Sequence, residues 1–191
     1  SSDVCSSDLL KQKNFNDAIA QFKKAININS NHHALYNNLG VAYKEIEDYE
    51  NAIKNFKKAI ELKPNYAEAY NNLGIIFKKK YQYKESFNNY KKAIELDANL
   101  FDAQYNMGTF YYNQGVEMNR KANDIKDNTK YEAARKQADE KLKAALPYLE
   151  KAFELNRKDP GVLQSLKVLY SRAWNQDKVN MINKAIEEAK K

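Results

Sequence analysis

The 191-residue sequence contains a single cysteine, Cys5, so no internal disulfide can form. Only three prolines and five glycines interrupt it, which predicts long, rarely broken helices. No apolar run approaches the roughly 18 residues that a membrane-spanning helix needs. The two histidines, His32 and His33, are adjacent in an expected turn and are expected to point in different directions. No carboxylate or thiolate cluster stands near them at metal-ligand spacing, so a solvent-exposed turn is the expectation rather than a metal site. The sequence also lacks a glycine-rich phosphate loop, a nucleophile elbow and a paired acidic motif. No catalytic residue, metal or cofactor is therefore expected, and the chain reads as a non-enzyme.

Charge of one sign is in modest excess, at a formal +7, and 28 lysines against four arginines carry it. With abundant Asn, Ile and Tyr, this resembles the codon usage of an AT-rich genome. Glutamates alternate with the lysines, so most of the charge reads as a solvated helix face and nucleic acid is not the expected partner. The first nine residues stand apart. Ser1 to Leu9, SSDVCSSDL, reads as one frame of a short-read sequencing adapter, so the native chain is expected to start near Leu10 and to end at Lys191. Cys5 then carries no biological information, and nothing can be inferred about a leader segment.

What is present is a repeat. Asn37-Asn38-Leu39-Gly40 returns 34 residues later as Asn71-Asn72-Leu73-Gly74 and again, in weaker form, as Tyr105-Asn106-Met107-Gly108. Within the best two copies an aromatic (Tyr36, Tyr70) is followed at three- and four-residue steps by Leu39 and Tyr43, or by Leu73 and Phe77. Those offsets lie along one stripe of a 3.6-residue helix. Gly40, Gly74 and Gly108 fall inside helices, where each costs roughly 1 kcal/mol relative to alanine. A cost repeated at one register implies close approach of a partner helix, which offers Ala52 and Ser86, then Phe56 and Tyr90, then Ala59 and Ala93.

The pattern resembles the tetratricopeptide repeat, a helix-turn-helix unit of 34 residues. Tyr36, Leu39, Gly40, Tyr43, Ala52, Phe56, Ala59 and Pro64 occupy eight signature positions of a unit spanning 33–66. A second unit, 67–100, differs at Ser86 and Ala98. Residues 10–32 match a second helix alone through Phe15, Ala18, Phe22 and Ala25. The resemblance implies an all-α fold, a right-handed superhelical solenoid of antiparallel helix pairs, because one pair cannot bury its apolar face without a neighbour.

Residues 101–159 read as a fourth repeat with an insertion, beginning with Gln104 in place of the first aromatic. Ala145 follows Tyr111 by 34 positions where Ala52 follows Tyr43 by nine, so about 25 residues are added after Gly115. Val116, Asn119, Ala122 and Ile125 continue the first helix, and Tyr131, Ala134, Ala138, Leu142, Ala145 and Leu149 form the stripe of the second. A helical hairpin over about 116–144 is predicted, turning at Lys126 to Lys130, with a bend at Pro147. Residues 160–191 read as a capping pair. Leu163, Leu166 and Tyr170 keep the stripe, Lys167 replaces the glycine, Trp174 stands at the turn, and Val179, Ile182 and Ile186 form the last apolar face.

By resemblance, the first helix of each unit lines a concave groove that binds extended peptides. The positions beside its core stripe are Asn37, Asn38, Val41, Asn71, Asn72, Ile75, Tyr105, Asn106 and Thr109. Asn38, Asn72 and Asn106 form an asparagine ladder, and a primary amide both donates to and accepts from a peptide backbone. The alternative is that this asparagine is repeat consensus only. With Glu68 and Asp102 also in the groove, a clamp for a terminal carboxylate is not expected. The function expected from the resemblance is a scaffold for protein or peptide partners. The alternatives are a self-associating structural module, using the edge near Leu10 to Ile28, and an accessory region of a larger protein.

Overall fold

The structure, a computed structural model, describes residues 2–173 and 175–190, with side chains from Lys13 onward. The reading of Ser1 to Leu9 as foreign, and Trp174 at the last turn, lie outside the described side chains. All regular structure among the described residues is helical, and the chain divides into two compact units, Ser1–Asp97 and Ala98–Lys191.

The first unit contains α1 (Ser2–Ile28), α2 (His33–Glu45), α3 (Tyr49–Leu62), α4 (Ala67–Lys79) and α5 (Tyr83–Leu96). Each helix packs on the next in sequence, and α2 also touches α4. Amphipathic stripes meet in a core of Leu39, Ala42, Tyr43, Ala52, Phe56, Leu73 and Ile76, to which α1 adds Ile19. A Cβ built on Gly40 would lie 2.7 Å from the Phe56 ring, and one on Gly74 2.6 Å from the Tyr90 ring. The partner helix thus approaches through an aromatic ring laid over bare backbone. Beside that contact, the buried Ser86 hydroxyl donates to the Gly74 carbonyl at 2.9 Å, so the serine that replaces the usual alanine satisfies its own polar group.

The second unit contains α6 (Phe101–Ala122), α7 (Asn128–Leu155), α8 (Pro160–Arg172) and α9 (Gln176–Ala189). The long α6 and α7 form the hairpin. Here leucines replace the rings: a Cβ on Gly108 or Gly115 would lie 2.6 Å from Leu149 or Leu142, respectively. The hairpin differs from expectation in two ways. Its turn falls at 123–127 rather than at Lys126 to Lys130, because the Asp127 carboxylate accepts the Lys130 amide at 2.8 Å and starts α7 one residue later. α6 stops at Ala122, leaving Ile125 in the turn, and Val116 faces outward at 44% exposure while Gly115 and Ala122 are buried. Pro147, where a bend was expected, lies inside α7.

Gln104, which displaces the repeat's aromatic, is buried and donates to the Ala98 carbonyl at 2.8 Å. Asp159 caps α8 by accepting the Val162 amide at 2.8 Å, and Pro160 occupies the first helical turn. α9 is tied down by a network on α7 and α8. The Tyr170 hydroxyl and the Lys178 ammonium each donate to Glu150 Oε1 at 2.6 Å, and Lys178 Nζ lies 4.8 Å from the centre of the Tyr170 ring.

Candidate functional site

The predicted groove positions of the first unit stand on α2 and α4. Asn37 and Asn71 are buried at 7% and 3% exposure, Asn38 is exposed, and Asn72, Val41 and Ile75 are half-buried. Asn72 and Asn38, 34 residues apart in the repeat, are not equivalent in chemistry. The Asn72 amide donates to Asn37 Oδ1 at 3.1 Å, tying one repeat to the next. Among the described residues, nothing in the chain hydrogen-bonds the Asn38 side chain. The ladder is therefore partly structural: one rung joins helices and the next is open.

Val41 and Ile75 lie one helical turn beyond, and half-burial leaves part of each aliphatic surface accessible. One further step along the same stripe brings Lys44 and Lys78. Lys44 pairs with Glu45 at 3.0 Å. Lys78 is half-buried with no ion-pair partner among the described residues, and burial pulls its ammonium below the usual lysine range. Sequence reasoning missed Lys78 because it opens the run Lys78-Lys79-Lys80, which reads as a solvated helix end. The signal was available in its spacing of three from Ile75.

The other three predicted residues are on α6 in the second unit. Tyr105 packs into that unit's core, stacked on Phe101 with ring centres 6.0 Å apart. Its hydroxyl occupies the space where a Cβ on Gly161 would stand. Burial, followed by the Asp159 charge, raises the Tyr105 hydroxyl above its ordinary range. It serves packing more than recognition. Asn106 and Thr109 are half-buried, and the Thr109 hydroxyl donates to the Asn106 carbonyl at 3.1 Å.

The two histidines do not diverge as expected. Their rings stack with centres 5.8 Å apart, and His33 meets the edge of Tyr66 at 4.7 Å. Burial, then Lys63 and His32, lowers the His33 pKa. Among the described residues, no group of three or more His, Cys, Asp or Glu side chains is placed to hold a metal. No described helix is long and apolar enough to cross a membrane.

A profile of the TPR repeat matches residues 7–46, 42–81 and 79–115, more than half of the chain. The chain belongs to the tetratricopeptide-repeat family. Its fold is accordingly an all-α solenoid of helix pairs, a fold that generally serves as a non-enzymatic interaction scaffold. Solved structures of the family agree. MamA is 23% identical with a TM-score of 0.61, covering 92% of this chain and 88% of its own. YrrB, described as a TPR protein with an unusual peptide-binding site, is 22% identical with a TM-score of 0.57, covering 92% of this chain and 78% of its own. The TPR domain of Arabidopsis OM64 is 16% identical with a TM-score of 0.55, covering 74% of this chain and 96% of its own. No curated protein matches the chain. At these identities the likeness concerns the tetratricopeptide fold alone.

Proposed function

We propose that the α2 and α4 face of this tetratricopeptide protein binds an extended peptide segment of a protein partner, without catalysis. The observation that carries the reading is the graded surface along that face. Among the described residues, Asn38 offers an uncommitted amide, Val41 and Ile75 offer accessible aliphatic surface, and Lys78 offers a half-buried cation with no counter-ion. An amide recognises peptide backbone whatever its side chains, the aliphatic pair favours an apolar residue, and Lys78 favours an acidic one near it. The fold family supports the same partner class, and YrrB's described peptide-binding site makes it reasonable for this chain.

Selection from a displayed library of random peptides tests the reading. The wild type should enrich a motif pairing an apolar with an acidic residue. Asn38→Ala removes one neutral hydrogen bond of roughly 0.5–1.5 kcal/mol, so affinity for the enriched peptide should fall by about two- to tenfold. Lys57→Ala with Lys91→Ala, on exposed positions of α3 and α5, is the control. Equal affinity of Asn38→Ala and the control would remove the groove from the function.

A further inference from the structure

Two turns of the first unit occupy equivalent places in successive repeats and carry opposite charge. The turn between α2 and α3 reads Glu45-Ile46-Glu47-Asp48-Tyr49-Glu50, and 34 residues on, the turn between α4 and α5 reads Lys79-Lys80-Tyr81-Gln82-Tyr83-Lys84. Glu45 is replaced by Lys79 and Glu50 by Lys84. The turns are neighbours, since Lys79 Nζ lies 6.0 Å from the centre of the Tyr49 ring. Glu47, Glu50, Lys79, Lys80 and Lys84 are all exposed, and none enters an ion pair among the described residues. Between the lysines, Tyr81 and Tyr83 are 78% and 50% exposed, their rings edge to face at 6.3 Å.

Backbone geometry adds a second observation. Glu47 and Tyr81 have φ of 61° and 59°, the left-handed region in which glycine is cheaper. Both turns nonetheless keep an exposed side chain there, one acidic and one aromatic.

From this pairing we infer that the edge formed by the two turns is a contact surface for a second copy of the chain, related by a two-fold axis between the turns. A uniformly anionic partner along this edge would meet the carboxylates beside the lysines, and a uniformly cationic one the reverse. A fitting partner carries an acidic and a basic patch at the same spacing in opposite order. A two-fold rotation of the same edge presents that arrangement, which makes the patch self-complementary. Tyr81 and Tyr83, exposed between the lysines, add aromatic surface to the basic patch, and a two-fold rotation sets them against the acidic turn of the second copy. The contact is small, so the dimer is weak and sensitive to salt. The surface adjoins the groove at Lys78 and Lys79, but sedimentation without peptide reads the self-contact alone, so its failure would leave the groove reading untouched.

Sedimentation of the full chain over a concentration series tests the inference at about 10 mM and about 1 M ionic strength, where charges are screened beyond ~30 Å and ~3 Å. The wild type should form a reversible dimer at low salt, with association at least ~10-fold weaker at high salt. The basic-turn reversal (Lys79→Glu, Lys80→Glu, Lys84→Glu) and the acidic-turn reversal (Glu45→Lys, Glu47→Lys, Glu50→Lys) should each stay monomeric. An equimolar mixture of the two should dimerise, because both contacts are restored between unlike copies. Circular dichroism checks that each variant keeps its helices; if one does not, the paired reversals at Lys80 and Lys84 and at Glu47 and Glu50 replace the triples. A wild type that stays monomeric at low salt, a reversal that dimerises like the wild type, or a mixture that fails to associate would overturn the assignment.

Discussion

At Gly40 and Gly74 the group packed against the bare backbone is an aromatic ring, Phe56 or Tyr90, whereas at Gly108 and Gly115 it is a leucine, Leu149 or Leu142. The short pairs of the first unit have one such gap each, and a single rigid ring fills it. The long α6 and α7 pair has two gaps seven residues apart, close to two helical turns, with the facing leucines also seven apart. Glycine marks where helices approach; what faces it distinguishes a solitary crossing from the start of a seam. In α6 and α7 the contact that each short pair makes once is made twice.

The largest effects that could break this comparison come from deleting the fillers. Phe56→Ala should cost about 3–5 kcal/mol and Leu142→Ala about 2–3 kcal/mol, since a fully buried ring leaves a larger hole than a leucine near the hairpin's middle. Urea titrations measure both, and a greater loss at Leu142 would mean that the hairpin dominates the fold. Overpacking comes next. Gly74→Leu should cost about 1–3 kcal/mol because the Tyr90 ring has no room to retreat. An unchanged denaturation midpoint would separate the glycine from the crossing.

Hydrogen bonds should sharpen the difference between the rungs of the asparagine ladder. Asn72→Ala removes the link to Asn37 and should destabilise the protein by about 0.5–1.5 kcal/mol. Asn38→Ala should stay within about 0.5 kcal/mol of wild type in thermal melts. Similar losses at both would make the two rungs equivalent after all.

The smallest expected effect is a pH dependence confined to the second unit. Burial pushes the Glu150 carboxyl up, but hydrogen bonds from Lys178 and Tyr170 outweigh it and hold it below the usual carboxylate range. A depressed folded pKa contributes stability above the ordinary carboxylate pKa that is lost as pH falls through the folded value. Burial and then Glu150 raise the Tyr170 hydroxyl, so its contribution holds below the ordinary tyrosine range and fades above it. The network is half-exposed, so Glu150→Gln should remove less than about 1 kcal/mol of this dependence on acidification. Melts of wild type and variant from pH 7 to about 3 should converge at the acid end. Parallel curves would exclude Glu150 as the titrating group.

The helix pairs, their stripes and the hairpin were legible because helical periodicity and a fixed repeat are properties of spacing alone. Gly74 beneath a partner helix follows from position in the repeat, and the buried run Ala138, Leu142, Ala145 and Leu149 from its three- and four-residue steps. The candidate site was only partly legible. Asn38 and Asn72 are indistinguishable in the repeat, yet a neighbouring Asn37 within 3.1 Å commits one of them. Lys78 looked solvated because three lysines in a row give no sign of which one turns inward. Val116 and Ala122 both continue α6 as read, but the spacing did not show that Val116 faces outward while Gly115 and Ala122 are buried.

The sequence by itself determined the family, the helical class and the places where backbones must meet, because those depend on a period of 34 and on residues too small to substitute. Only the tertiary structure decided which amide is spent, which lysine is desolvated and which oppositely charged turns lie side by side. Those outcomes depend on distances of a few ångströms between residues far apart in sequence. Hydrogen bonding and desolvation change sharply over such distances, whereas the repeat pattern that sets the fold does not register them.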